Sequence, residues 1–324
     1  MSANDLGRSA WPELRFAEWR DSGATLQLWT QVVGKLRVAL EPWLNHGWQV
    51  PLYVTARGLG SSPIHAGGGR LVEVEFDLVD HRLTVRSSQA PERGFALEPM
   101  SVATFYRRFM AELAAIGVEV EISTLPNEVP DPIPFPADET HAAYAPAAVQ
   151  ALWRALVQVD RVFRHFRTGF LGKASPVHLF WGAFDLAVTR FSGRPAPLHK
   201  GGIPGLPDAV TREAYSHEVS SAGFWPGNDA YPQAAFYSYA YPAPAGFEAA
   251  RVEPAGAVWS ADMGEWLLPY EAVRSAADPD ATLLQFLQST YRAAADLGRW
   301  DPALECELGV PGRPRPVPAG AAGR

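Results

Sequence analysis

Cysteine is all but missing from this chain of 324 residues: Cys306 stands alone. An intrachain disulfide is therefore excluded, as is a zinc site built on several cysteines. Lysine is nearly absent too, with only Lys35, Lys173 and Lys200, and acidic residues outnumber basic ones 35 to 28, a net charge of −7. Phosphate backbones are bound by clustered Lys and Arg, and no such cluster exists, so nucleic acid is excluded as the principal partner. No run of about 18 apolar residues occurs, so no helix is expected to span a membrane. The start, MSANDLGRSAWPEL, lacks a basic segment leading into an apolar one, so no signal peptide is expected and the protein is expected in the cytoplasm. GxSxG, GxGxxG, the P-loop and HExxH are all absent, which leaves the hydrolase elbow and the nucleotide folds unsupported and the cofactor unassigned.

What is present is the composition of a globular protein, 47% hydrophobic and 19% charged, long enough for one large domain or two ordinary ones. Leu26, Trp29, Val32, Val33, Leu36 and Leu40 recur at helical steps, predicting a helix over 25–40. QVPLYVTARGL (49–59) reads as a strand, and VEVEFDLVDHRLTVRSS (72–88) as a hairpin turning at Val-Asp-His-Arg. A helix over 101–117 follows, with Ser101 placed to cap it and Gly117 to end it. Five prolines between 126 and 136 predict a stiff strap.

Beyond the strap the order recurs: a helix over 147–170, a strand in SPVHLFWGAFDLAVTRFSG (175–193), strands at 213–221 and 235–244, a tight hairpin at 258–269 and a helix over 280–298. The expected fold is α+β: two pseudo-repeated helix–strands–helix halves, with mixed or antiparallel sheets flanked by helices. The first half is expected at 10–125, the strap at 126–146 and the second half at 147–300, with a disordered tail at 309–324.

REAYSHEVSSAGFWPG (212–227) crowds acids, a histidine and a tyrosine together. In an extended strand Glu213, Tyr215 and His217 would share one face, and Ser216, Glu218 and Ser220 the other. Glu213 and His217 would be too far apart to touch, so proton chemistry by His217 with Glu218 or Glu213 needs partners from other strands. The alternative is a structural strand whose charges bond neighbouring loops. His178, Asp185 and Arg190 likewise interrupt an apolar run. A buried acid calls for a partner, here Arg190 or Arg57, although alternation puts Asp185 and Arg190 on opposite faces. An arginine turned into a pocket would hold a carboxylate or phosphate. Trp48, Trp181 and Trp225 stand beside polar residues and are expected to wall such a pocket. His46, His178 and His217 could supply metal ligands, but no ligand spacing supports it, and no metal is assigned.

WPELRFAEWRDSGATLQLWTQVVGKLR, PLYVTARGL, NEVPDPIPF, SPVHLFWGAFDLAVTRFSGR and REAYSHEVSSAGFWPG together resemble the bacterial domain-of-unknown-function family 5996, over about residues 10 to 300. The resemblance implies no reaction, cofactor or catalytic residue. On residue chemistry, two functions stand. One is an enzyme or sensor for a small polar, anionic molecule in an aromatic-walled cleft: Arg57 and Arg190 hold the anion, and Asp185, His178, Trp48, Trp181 and Trp225 surround it. The other is a non-catalytic scaffold or partner-binding protein whose polar strands are structurally paired.

Overall fold

The computed structural model describes residues 10–309, so all but the first residue of the expected tail lies outside the described residues. Among the described residues, six helices and two six-stranded sheets, antiparallel at every pairing, make an α+β protein. Helix α1 (Phe16–Leu40) is longer than its apolar stripe predicts and is buried along most of its length. Sheet I comprises β1 (Tyr53–Val54), β2 (Gly58–Gly60), β3 (Ile64–His65), β4 (Leu71–Asp77), β5 (Arg82–Ser87) and β6 (Ala90–Ala96). Its order is β1-β2-β4-β5-β6, with β3 also on β4. The β4–β5 turn falls at 78–81, where Asp and His interrupt the alternation. Helix α2 (Val102–Ala115) closes this half, its first turn capped by the Ser101 hydroxyl, which accepts from Thr104 N–H at 3.1 Å.

The proline-rich strap forms neither strand nor α-helix, only a 3-10 turn at Phe135–Ala137. Helix α3 (Pro146–Arg167) follows, then β7 (His178–Phe180), β8 (Asp185–Pro195), α4 (Asp208–Ala214), β9 (His217–Trp225), β10 (Ala235–Tyr241), β11 (Val258–Ser260), β12 (Glu265–Pro269), α5 (Tyr270–Arg274) and α6 (Pro279–Leu297). Sheet II runs β11-β12-β10-β9-β8-β7.

Two local predictions change. Residues 175–193 are not one strand but a β7–β8 hairpin turning through Trp181–Phe184, a turn hidden because both arms are apolar. Glu213 belongs to helix α4 rather than to an extended strand, so it shares no strand face with His217. Helix, sheet and helix recur in both halves, but Sheet II inserts β12 between β10 and β11, and a duplication is not established. One continuous apolar core draws on both halves, from Trp29 and Phe105 to Phe163 and Phe286. Leu52 pairs with Leu179 across the junction of the two sheets.

Side-chain alternation gives Sheet II two unlike faces. Leu186, Val188, Ala222, Phe224, Phe236 and Leu268 are buried on one face, toward α3 and α6. The other face carries Asp185, Thr189, Ser221, Tyr237, Tyr239 and Glu265, a polar set that α1, the strap and the loop after β8 cover without filling.

Candidate functional site

Between that polar face and its cover lies a cavity of about 1180 Å³. Its floor is the sheet. Its cover comes from the first turns of α1 (Phe16, Trp19, Gln27), the strap (Asn127–Pro130), the β7–β8 turn, Ile203 and Leu206, and helix α4. Aromatic side chains dominate the walls, with Trp19, Trp48, Phe180, Trp181, Phe184 and Trp225 among them. Among the described residues, six non-glycine residues have positive φ, and three of these, His46, Glu128 and Phe184, line the cavity. Such backbone is held in place by its surroundings and collects where side chains must be aimed.

Three carboxyls face the interior. Burial pushes Glu128 up to about 7, and the charge of Asp185 adds to the shift. Glu265 is pushed up to about 7 by the same two causes. Burial raises Asp185 to about 6, opposed by a hydrogen bond donated by the Tyr237 hydroxyl. Among the described residues no Lys or Arg pairs with any of the three, so burial shifts each toward its protonated form. The tyrosines beside them stay neutral. Tyr215, whose hydroxyl lies 2.9 Å from that of Tyr239, is pushed up to about 12, and burial drives Tyr237 and Tyr239 well above the usual phenol range. Thr189 and Ser221 complete the floor with hydroxyls 2.8 Å apart.

The strap aims Glu128. Gln31 on α1 brackets Asn127, accepting from its N–H at 2.8 Å and donating to its carbonyl at 2.9 Å. Lys35 donates to the Asn127 side chain at 2.5 Å, and Glu128 N–H donates to Pro204 O at 3.1 Å. The carboxyl then lies over Gly182, where a Cβ would sit 2.1 Å from Oε1. Gln27 ties the same glycine to α1 through its carbonyl at 2.6 Å.

The far end of the cavity is built on His46. Its N–H donates to Glu213 Oε2 at 2.5 Å and its Nδ1 lies 3.1 Å from the Ala214 carbonyl. A carbonyl only accepts, so the ring proton sits on Nδ1, and Nε2 accepts from Lys173 Nζ at 2.6 Å. Burial and then the Lys173 charge hold His46 below the usual histidine range, in its neutral form. Its ring lies 4.6 Å from Phe191, and Lys173 sits 5.1 Å over both Phe191 and Trp48.

Of the residues expected from the sequence, Asp185, Trp48, Trp181 and Trp225 line the cavity, and His46 joins them. Asp185 bonds Tyr237 rather than an arginine. Glu213 and His217 stand behind His46, whose ring is 5.9 Å from that of His217. Glu218 is tied up by Arg194 at 2.6 Å and by the Ser192 hydroxyl at 2.8 Å. His178 is buried among Trp48, Tyr53 and Phe180, and burial holds it neutral, pushed down to about 3.

Neither expected anion-binding arginine is brought to the cavity. Arg57 pairs with Asp77 and, at 2.6 Å, with Asp80 on Sheet I. Arg190 lies on the opposite face of Sheet II, 3.6 Å from the Phe166 ring and 4.3 Å from that of Tyr291. Among the described residues no three His, Cys, Asp or Glu groups could hold a metal ion, and no helix is long and apolar enough to cross a membrane.

Glu128, Glu265, Tyr237 and Tyr239 line the cavity without being among the residues expected from the sequence. The tyrosines were visible in AFYSYAY, whose alternation puts them on one face. Glu128 had no signal within the prolines.

Fold and site together define an α+β protein whose second sheet floors a large, aromatic-walled, carboxyl-bearing cavity. The chain belongs to the family of unknown function DUF5996, whose model matches residues 11–306. It matches no curated protein and no solved structure.

Proposed function

We propose that this is a cytoplasmic bacterial protein that binds, and senses or acts on, a small organic molecule inside the Sheet II cavity. The observation that carries the reading is the set of three interior-facing carboxyls, Glu128, Asp185 and Glu265, held without a cationic partner among the described residues. A purely structural role gains nothing from such groups, because each destabilises the empty fold when it ionises. The scaffold alternative calls for paired charges and an exposed apolar patch, whereas these acids face an internal space. Glu128 and Glu265, half-protonated near neutral pH, are also suited to general acid–base work on whatever binds there.

The test is a thermal-shift screen of the purified chain against polar small molecules, run beside Leu206→Trp, which fills the cavity from a loop. At least one compound is expected to stabilise the wild type saturably and the variant less. A screen in which every stabilising compound acts equally on Leu206→Trp would remove the cavity as the site.

A further inference from the structure

Resting on that reading, we propose that the ligand is an organic amine, its ammonium group drawn to the part of the cavity lined by Glu128, Asp185 and Glu265 and its apolar body lying against the tryptophans. The sign of the lining comes first. Arg20 at the cavity mouth is paired with Asp229 at 2.6 Å, and His46 is neutral, its Nε2 already accepting from Lys173. An anionic ligand would meet three acids and no free cation among the described lining residues. A cation would complete them, and the aromatic walls would keep water from the pair and strengthen the attraction.

The shape of the site argues against a bare ion. The acids come from three separate elements, the strap, β8 and β12, around a space of about 1180 Å³, and they form no metal cage among the described residues.

An independent observation lies toward the other end. Thr211 is among the residues that line the same cavity, it is 1% exposed, and its hydroxyl oxygen has no hydrogen-bond partner among the described residues. Buried hydroxyls are rarely left so, and a ligand atom reaching α4 would satisfy it. Thr211 is three residues before Ala214, whose carbonyl bonds His46, and the His46 ring packs on Phe191. Phe191 is six residues along β8 from Asp185, roughly 20 Å in an extended strand. The ligand is therefore elongated: an amine at the acid end, an apolar middle, and a hydrogen-bonding group toward Thr211.

Amine binding carries a proton signature. An ammonium beside the three carboxyls favours their ionised forms, so binding releases protons and tightens as pH rises through the range where they titrate. The other ionisable groups around this end are Asp21, the Arg20–Asp229 pair, the three neutral tyrosines, and His141, which lies 2.7 Å from Asp138. A His141→Asn control separates the histidine from the carboxyls.

The experiment is calorimetric titration of the full chain with tyramine and with tyrosol, the same molecule bearing a hydroxyl for its amine. Tryptamine with tryptophol, and spermidine with cellobiose, extend the panel, at several pH values and in two buffers of different ionisation heat. The amines should bind at least about tenfold more tightly than their neutral counterparts, one pK unit's worth of discrimination. They should release protons in wild type and in His141→Asn, and bind more tightly as pH rises from 5 to 8, an interval set by carboxyls near 6 and 7. Glu265→Gln should lose most of this preference while remaining folded, and Thr211→Val should weaken spermidine, the longest amine of the panel, more than tyramine, without lowering the melting temperature. Neutral compounds that bind as well as the amines, or affinity that falls with pH, would overturn the amine and leave the cavity as a binding site. Failure of both classes to bind would count against the amine and the cavity together.

Discussion

The Tyr237 hydroxyl on β10 reaches across β9 to donate a hydrogen bond to the Asp185 carboxyl on β8. It can do so because residue 223, directly between them on β9, is glycine. A Cβ there would lie 2.3 Å from the tyrosine oxygen. Gly223→Ala should therefore displace Tyr237 and destabilise the fold by about 1–3 kcal/mol, the usual range for overpacking. Chemical denaturation measures the loss, and an unchanged midpoint would mean the ring finds another path.

Tyr237→Phe keeps the ring and removes only the hydrogen bond. That bond lowers Asp185 against the larger effect of burial, so Asp185 should titrate higher in the variant than in wild type. Carboxyl-resolved NMR titration of both proteins reads the difference.

Glu128 and Glu265 make a prediction of definite sign. Each is raised from 4.5 to about 7, so between those values the folded chain holds protons that the unfolded chain has lost. Their penalty is absent below pH 4.5 and grows as pH rises toward 7, so stability falls over that interval. Glu128→Gln and Glu265→Gln should each raise stability at pH 8 by roughly 2–3 kcal/mol and change little at pH 4.5. Melting curves at the two pH values test this.

Lys35 behaves in the opposite direction. Burial lowers it from 10.5 to about 8, so its charge opposes folding most below pH 8, and stability from this group recovers as pH rises from 8 to 10.5. Lys35→Met should stabilise the fold at pH 7. It should also free Asn127 from its 2.5 Å hydrogen bond and loosen the strap that aims Glu128. Higher melting temperature with weaker ligand binding is the expected pair of results.

Arg190 separates structure from function. Its guanidinium packs between the Phe166 and Tyr291 rings and donates to the Phe166 carbonyl near the end of α3, all on the face away from the cavity. Arg190→Ala should cost about 2–4 kcal/mol through lost packing and a lost charge-assisted hydrogen bond, and leave ligand preference intact in the folded fraction.

The long helices and the β4–β5 hairpin were legible because their apolar periods are regular, as in Leu26, Trp29, Val33 and Leu36 on α1. Helix α4 is not legible because its seven residues, four of them polar, carry no period strong enough to distinguish helix from strand. Within the site, Asp185 and the three tryptophans stood out as polar or bulky interruptions of apolar runs. Glu265 did not: its place on the floor depends on β12 pairing with β10, out of chain order. Arg190 looked like a ligand-binding group because sequence alone shows a buried cation, not the aromatic rings that receive it.

Three carboxyls line the cavity with no Lys or Arg partner among the described residues, and burial shifts each toward its protonated form. Carboxyl-selective ¹³C NMR titration of the ligand-free protein, with Glu128→Gln, Asp185→Asn and Glu265→Gln to assign the signals, tests it most directly. Two glutamates should titrate near 7 and one aspartate near 6. If all three instead ionise in the ordinary carboxylate range near 4, they are solvated or paired, and the account of this cavity is wrong.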